Sequence, residues 1–406
     1  MYLLSNLMKH FVQKGTLRII DAGGKLHEFR GTPEPLATIQ IHDHTLQRKL
    51  FFNPELHAGE AYMDGRLTMV DCSLQDFMEV FSINRGSMAS YPLQNVLRRI
   101  SRTLRAFQQH NPVGKAQQNV SHHYDLSREL YKLFLDEDLQ YSCAYFRNPD
   151  DSLETAQKSK KRHIAAKLRL QPGQRVLDIG CGFGGLALEI ARLADVEILG
   201  VTLSEEQHRL ATEEAERQGL SGRVRFELRD YREVQGRFDR IVSVGMFEHV
   251  GVNNYDEYFG RLFDLLTDDG IALLHAIGHM SPPGSASPWL RKYIFPGAYS
   301  PALSEVFAAT ERQHVWVNDV EILRVHYADT LVEWIRRFQN NRERIAEIYD
   351  ERFCRMWEFY LVSVESMFRT GAQMVFQMQL ARTRDAAPLT RDYMIDDERR
   401  YLESDA

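Results

Sequence analysis

Apolar positions along this chain follow two rhythms. Between about 175 and 276, short apolar runs at 175–179, 197–202, 223–228, 238–244 and 271–276 alternate with stretches of helical spacing at 185–194, 204–218 and 254–266. A short continuous apolar run between turns predicts a buried strand, and a 3.6-residue period predicts an amphipathic helix. Strand and helix in alternation predict a mainly parallel sheet with helices on both faces, an α/β fold. The flanks read differently. Strand-like runs at Thr16–Asp21, Lys25–Arg30 and Ala37–Ile41 precede helical spacing through Glu60–Phe81. Residues 86–118 read as a linker with an amphipathic helix, Leu93–Phe107. A strand pair is expected within 314–327 and helix from Thr330 to Arg382. The expected organisation is an α+β domain over 1–85, the linker over 86–118, a main domain over 119–390 with a helical C-terminal cap, and a polar tail over 391–406.

Composition narrows the classes. No run of 18 apolar residues exists, so no membrane span is expected, and Met1–Ile20 lacks the basic head and apolar core of a secretory signal. Cys72, Cys143, Cys181 and Cys354 form no Cys-x-x-Cys pair, which favours a reduced cytoplasmic compartment over a disulfide framework or zinc cluster. A net charge of −6 argues against nucleic-acid binding. The charge is uneven, however. One acid-free interval holds Arg85, Arg98, Arg99, Arg102, Arg105 and Lys115. A second holds Lys158, Lys160, Lys161, Arg162, Lys167, Arg169 and Arg175. Such stretches suit either docking on anionic lipid headgroups or a solvated helix face.

The segment from Val176 to Gly185 runs from a strand into a glycine-rich turn and a helix. Gly180, Gly182 and Gly184 let the backbone approach a nucleotide-like ligand, and the helix N-terminus offers free N–H groups. A dinucleotide would need an acid at the end of the second strand, where Thr202 stands, and the turn departs from the Gly-x-x-Gly spacing. S-adenosylmethionine fits better. Asp178 lies beside the turn, and Asp230-Tyr231 follows the third strand as an acceptor for an adenine amino group next to an aromatic face. Ser243 to His249 ends the fourth strand, at the carboxyl edge where open sheets place substrate-facing groups.

Further motifs occur in order: His123-Tyr-Asp-Leu126, Tyr141 to Phe146, Leu177 to Gly182, Gly200 to Ser204 with Gln207, Ser243 to Gly251, Leu274 to Gly278 and Lys292 to Gly297, with Gly59 to Gly65 ahead of them. On these the chain resembles the cyclopropane fatty-acyl-phospholipid synthases, from about 119 to 382. The resemblance implies a Rossmann-like class I methyltransferase fold and transfer of a methyl(ene) group from S-adenosylmethionine to a cis double bond of phospholipid acyl chains. It also implies a carbocation deprotonated by bound bicarbonate, held by Cys143, Glu248, His275, the Ile277 backbone and Tyr327. The cofactor residues it implies are Tyr141, Ser142, Gly180, Gly182, Thr202, Ser204, Gln207, Tyr231 and Arg232, with Gln207 in place of a ribose-binding carboxylate. An aromatic face at Tyr141 or Phe247 suits the sulfonium. The implied partners are acyl chains and an anionic membrane surface, with the enzyme a homodimer docked peripherally on the inner, cytoplasmic face. A relative giving a methyl-branched or methylene product and a non-catalytic lipid-binding protein remain as alternatives. Two positions depart from the family pattern: Phe183 stands where Trp is common, and Val364 where many members carry a cysteine.

Plainer roles exist for several of these residues. Glu248-His249 alone could be a capped turn, and His249 is read as structural. His275 could be a satisfied core histidine. Cys143 is expected to act through its backbone position. His122-His123 diverge by about 100° on a helix and have no evident third ligand, so no metal is expected. Trp334, Phe338, Trp357, Phe359, Tyr360, Phe368 and Phe376 either line an acyl channel or form core.

Overall fold

The computed structural model describes residues 1–90 and 127–403, which form two compact units. Of the described residues, the first comprises 1–90, 284–296 and 331–372, and the second 127–283, 297–330 and 373–403. The units are therefore not contiguous in sequence, as the expected ranges were. Residues 331–372, much of the helical region after Thr330, belong to the first unit.

In the first unit, β1 (Thr16–Ile20), β2 (Leu26–Arg30), β3 (Leu36–Ile41) and β4 (Leu67–Met69) form a sheet in the order β2-β1-β3-β4. The helical spacing through Glu60–Phe81 resolves into the helices Pro54–Met63 and Leu74–Ile83 with β4 between them. Ser73 caps the second of these in a reciprocal capping box with Asp76, which fixes where it starts. Two of the sequence motifs meet here. The Glu60 carboxylate accepts from Lys292 Nζ at 2.6 Å and from the Tyr293 hydroxyl at 3.0 Å. Burial opposes its charge, but these donors and His57 hold the carboxyl down at about 2. Trp334, Phe338, Trp357, Phe359, Tyr360 and Phe368 are buried in this unit.

The second unit carries β5 (Arg175–Ile179), β6 (Glu197–Thr202), β7 (Val224–Leu228), β8 (Phe238–Val244), β9 (Leu266–His279), β10 (Trp316–Ile322) and β11 (Gln373–Ala381). Their order is β10-β11-β9-β8-β5-β6-β7, with β5 to β9 parallel and β10 and β11 antiparallel. The five strands and three helices expected between 175 and 276 are all present, β9 being longer than expected at both ends. The pair expected within 314–327 is instead one strand, β10, whose partner is β11. The expected helix to Arg382 stops at Arg369. Apolar residues with the stiff or aromatic side chains Val375 and Phe376 suit a strand, and β11 is buried on both faces. Its lack of alternation hid it among helical residues.

The helix Leu153–Leu168 withdraws four of the seven basic residues of the second interval from the surface, whereas Lys158 and Arg175 are exposed. Lys160, Lys161, Arg162 and Lys167 are almost wholly buried, neither on a solvated face nor on a docking surface. Each finds partners: Lys161 with Asp138, Arg162 with Glu189 at 3.3 Å, Lys167 with Glu321. His163 meets Glu321 at 2.7 Å and Glu398 at 3.3 Å. Buried charge is tolerated here because it is paired. The helix Leu93–Phe107 and the arginines on it lie outside the described residues, as does His122-His123.

Candidate active site

The strand order reverses between β5 and β8, and a cleft opens outside the carboxyl ends of β5, β6 and β8. Ligands bind open α/β sheets at this kind of switch point. Gly180, Gly182, Thr202, Gln207, Asp230, Tyr231 and Arg232 line the cleft, joined by Val244, Gly245, Met246, His249 and Asn254, which the sequence reading had not assigned to the cofactor.

The turn is fastened by Gly180 and Cys181 N–H groups donating to the Val201 carbonyl at 2.9 and 3.0 Å. Gly180, Gly182 and Gly184 all have positive φ, at 80°, 56° and 84°. Their surroundings separate their roles. A Cβ on Gly182 would meet nothing within 4 Å, so this is where the backbone opens to a ligand. A Cβ on Gly184 would lie 2.7 Å from Phe226 and 2.9 Å from Ala211. Gly184 is thus a packing residue and the N-cap of the helix Gly185–Leu193, not a lining residue as expected. Ser204 likewise serves as N-cap, accepting from Gln207 N–H.

Thr202 Oγ1 donates to Gln207 Oε1 at 2.9 Å, which turns the amide nitrogen into the end left for a ligand. Asp230 accepts from Arg232 at 2.9 and 2.7 Å, a two-point clamp beside the Tyr231 ring. Asp178 lies beneath the turn, buried, with Oδ2 unmet by any donor. Burial lifts its carboxyl to about 7, against the pull of Lys160. An orphaned acceptor, an open glycine and an unspent amide fit the amino acid and ribose of S-adenosylmethionine.

Lys160, which the sequence reading placed only in a charge run, is the hidden organiser. Its Nζ donates to Gln140 Oε1 at 2.6 Å and Ser142 Oγ at 2.9 Å. Gln157, one turn earlier, donates to the Ser142 carbonyl at 2.9 Å. Burial pulls the Lys160 ammonium down to about 7. Its charge is felt by Asp178, by Cys143 and by His275, so the cofactor turn and two of the proposed catalytic residues answer to one cation. Tyr141 packs against Tyr131 and Phe134, with ring centroids 5.5 and 6.2 Å away. Phe247 does not offer a face to a sulfonium. It is fully buried in the core, stacked on Tyr255 at 4.4 Å.

Glu248 follows β8 in a short 3-10 turn and is buried. Its Oε1 accepts the Ile277 N–H, and its Oε2 has no donor. Burial pushes this carboxyl up to about 7. The Ile277 N–H thus anchors Glu248. His275 stands two residues before Ile277 on β9, buried, its ring held neutral by burial and the neighbouring Lys160 and Lys167. The Cys143 thiol is driven far above its ordinary value by burial and is no nucleophile. Its neighbour Ala144 donates N–H to Thr330 Oγ1 at 3.0 Å. Tyr327, also buried, precedes Thr330 by three residues on the same helix, His326–Asn340. That contact ties the Cys143 segment to the helix turn bearing Tyr327.

Residues 112–378 match the family described as mycolic acid cyclopropane synthetase. The chain belongs to this family. It is 38% identical over 351 residues to the cyclopropane-fatty-acyl-phospholipid synthase of Escherichia coli (strain K12), covering 85% of this chain and 88% of that one. It is 35% identical over 370 residues to the tuberculostearic acid methyltransferase UfaA1 of Mycobacterium tuberculosis, covering 87% and 85%. Among solved structures, the cyclopropane synthase MmaA2 of Mycobacterium tuberculosis aligns with TM-score 0.63 and 31% identity, over 67% of this chain and 99% of that one. The mycolic acid cyclopropane synthase CmaA1, complexed with SAH and CTAB, aligns at 0.62 and 33%, over 67% and 99%. The protein is an S-adenosylmethionine-dependent methyltransferase of class I fold. Among its described residues, no helix is long and apolar enough to cross a membrane.

Proposed function

We propose that this enzyme converts cis double bonds of phospholipid acyl chains to cyclopropanes. The observation that carries the reading is Glu248: a buried carboxyl in the turn between the cleft-lining Met246 and His249, anchored through one oxygen and unmet at the other. An alkene has no proton to remove and no lone pair, so the donor must be strongly electrophilic and closely aligned. Bound S-adenosylmethionine supplies that electrophilic methyl. Gln207, Asp230 and Tyr231 hold its nucleoside, and Asp178 lies under the turn that takes its amino acid. Methyl transfer leaves a carbocation on the acyl chain, and ring closure removes a proton from the new methyl. Burial of Cys143, Glu248, His275 and Tyr327 keeps water from trapping that cation. A bicarbonate held by Glu248, His275 and Tyr327 would supply the base. Its O–H suits Glu248 Oε2, and its charge steadies the cation.

The relatives include both ring-forming and fatty acid methyltransferases, so a methyl-branched product is the second reading. Mass spectrometry of lipids from expressing cells decides. A gain of one CH₂ with hydrogenation-resistant chains supports the ring, whereas two further hydrogens or a reducible chain support the branched or methylene product. Unaltered olefins with donor and enzyme present defeat the reading altogether. The enzyme is further read as a cytoplasmic homodimer that docks on anionic membranes through Arg98, Arg99, Arg102 and Arg105. Charge reversal there weakens liposome sedimentation and leaves cofactor affinity intact; unchanged sedimentation assigns those residues to a solvated face.

A further inference from the structure

Gln377 on β11 stands directly opposite His275 on β9. Its Nε2 lies 3.1 Å from His275 Nδ1, and its Oε1 lies 2.7 Å from Lys167 Nζ. All three residues are buried. Lys167 is in turn paired with Glu321, whose carboxyl is held at about 2 by its His163 and Lys167 partners in spite of burial. An ammonium can only donate, so the Gln377 atom facing Lys167 must be the oxygen. The atom facing His275 is then the NH₂, also a donor, and Nδ1 must be the bare nitrogen. In a neutral imidazole the hydrogen then sits on Nε2.

We infer that Gln377 is a positioning residue that locks His275 as the Nε2–H tautomer, so that the ring presents a donor to an anion. The chain of custody is Glu321, Lys167, Gln377, His275, each fixing the polarity of the next. Among the described residues His275 Nε2 makes no hydrogen bond within the protein. The proposal rests on the bicarbonate reading only for the identity of what Nε2 meets; the tautomer stands on the geometry alone. Nothing here requires Gln377 to touch substrate. A histidine free to hold its hydrogen on either nitrogen would oppose a bound anion with a lone pair part of the time.

The test reads ring nitrogens directly. Full-length enzyme with ¹⁵N-labelled histidine is examined by NMR without added anion, and His275 is assigned by the resonances lost in His275→Asn. The expected spectrum shows Nδ1 bare and Nε2 protonated. Gln377→Glu replaces the amide by a carboxylate that accepts from both sides, and Nδ1 becomes protonated. Lys167→Met leaves Gln377 and His275 in place but frees the amide to turn over, and the two tautomers mix. A hydrogen on Nδ1 in the parent, or an Nδ1 that stays bare in both variants, overturns the lock. Titration with ¹³C-bicarbonate is then run on the parent and on Gln377→Met, with about a tenfold or greater loss expected when the donor is no longer fixed. A parent with the expected tautomer that does not bind bicarbonate defeats the functional reading and leaves the lock standing.

Discussion

Glu248→Gln separates the electrostatics of the site from its shape. The amide is nearly isosteric, and its carbonyl oxygen can keep the Ile277 N–H bond. The parent carboxyl titrates at about 7 in the fold against an ordinary value of 4.5, because burial disfavours its charge. A raised folded value means that this group's stabilising contribution is intact below pH 4.5 and is lost as pH rises through 7. At about 1.4 kcal/mol per unit, the ionised parent is penalised by roughly 3 kcal/mol at pH 8 and by under about 1 kcal/mol at pH 5. The variant carries no such penalty at any pH. Its amide leaves an unmet donor where Oε2 was, but that defect does not titrate. The stability of Glu248→Gln relative to the parent should therefore rise by about 2–3 kcal/mol between pH 5 and pH 8. Denaturant unfolding of both proteins without cofactor at the two pH values measures it, since titrations elsewhere cancel in the difference. Calorimetry should show S-adenosylmethionine binding retained, and turnover of unsaturated phospholipid should fall to a small residue. A pH-independent difference would mean that Glu248 is solvated or paired in solution, and full turnover would remove it from the chemistry.

Two other perturbations probe the cofactor half. Gly184→Ala forces a methyl against Phe226 and Ala211 at positive φ and should destabilise by about 2–5 kcal/mol, whereas Gly182→Ala meets only backbone strain of about 1–2 kcal/mol and should chiefly weaken cofactor binding; thermal denaturation beside calorimetry would refute the division if the two variants behaved alike. Lys160→Met removes the bonds to Gln140 and Ser142 and the cation nearest Asp178, so S-adenosylmethionine affinity should fall by about tenfold with the fold retained, as judged by circular dichroism; unchanged affinity would make Lys160 a packing residue only.

What the sequence disclosed and what it hid divide along one physical line. The strands β5 to β9 and the intervening helices were legible because periodicity is local: each run of residues carries its own burial pattern. Glu248 and Asp178 were legible because their position at strand ends follows from that order. The helix Leu153–Leu168 was not. Its basic residues look solvated until Asp138, Glu189, Glu321 and Glu398 are brought to it, and those lie between 23 and 235 positions away. β11 was hidden for the related reason that a strand buried on both faces has no alternation to show. Gly184 was assigned to the ligand because a glycine turn does not say which of its α-carbons faces a cleft and which faces Phe226. Gln377 combines all three blind spots. It sits on the unreadable strand, it answers to the unreadable helix, and an isolated glutamine in an apolar run carries no chemistry of its own. Its significance comes from Lys167 on one side and His275 on the other, so the polarity of the proposed catalytic histidine is a property of the packed sheet and not of any local motif.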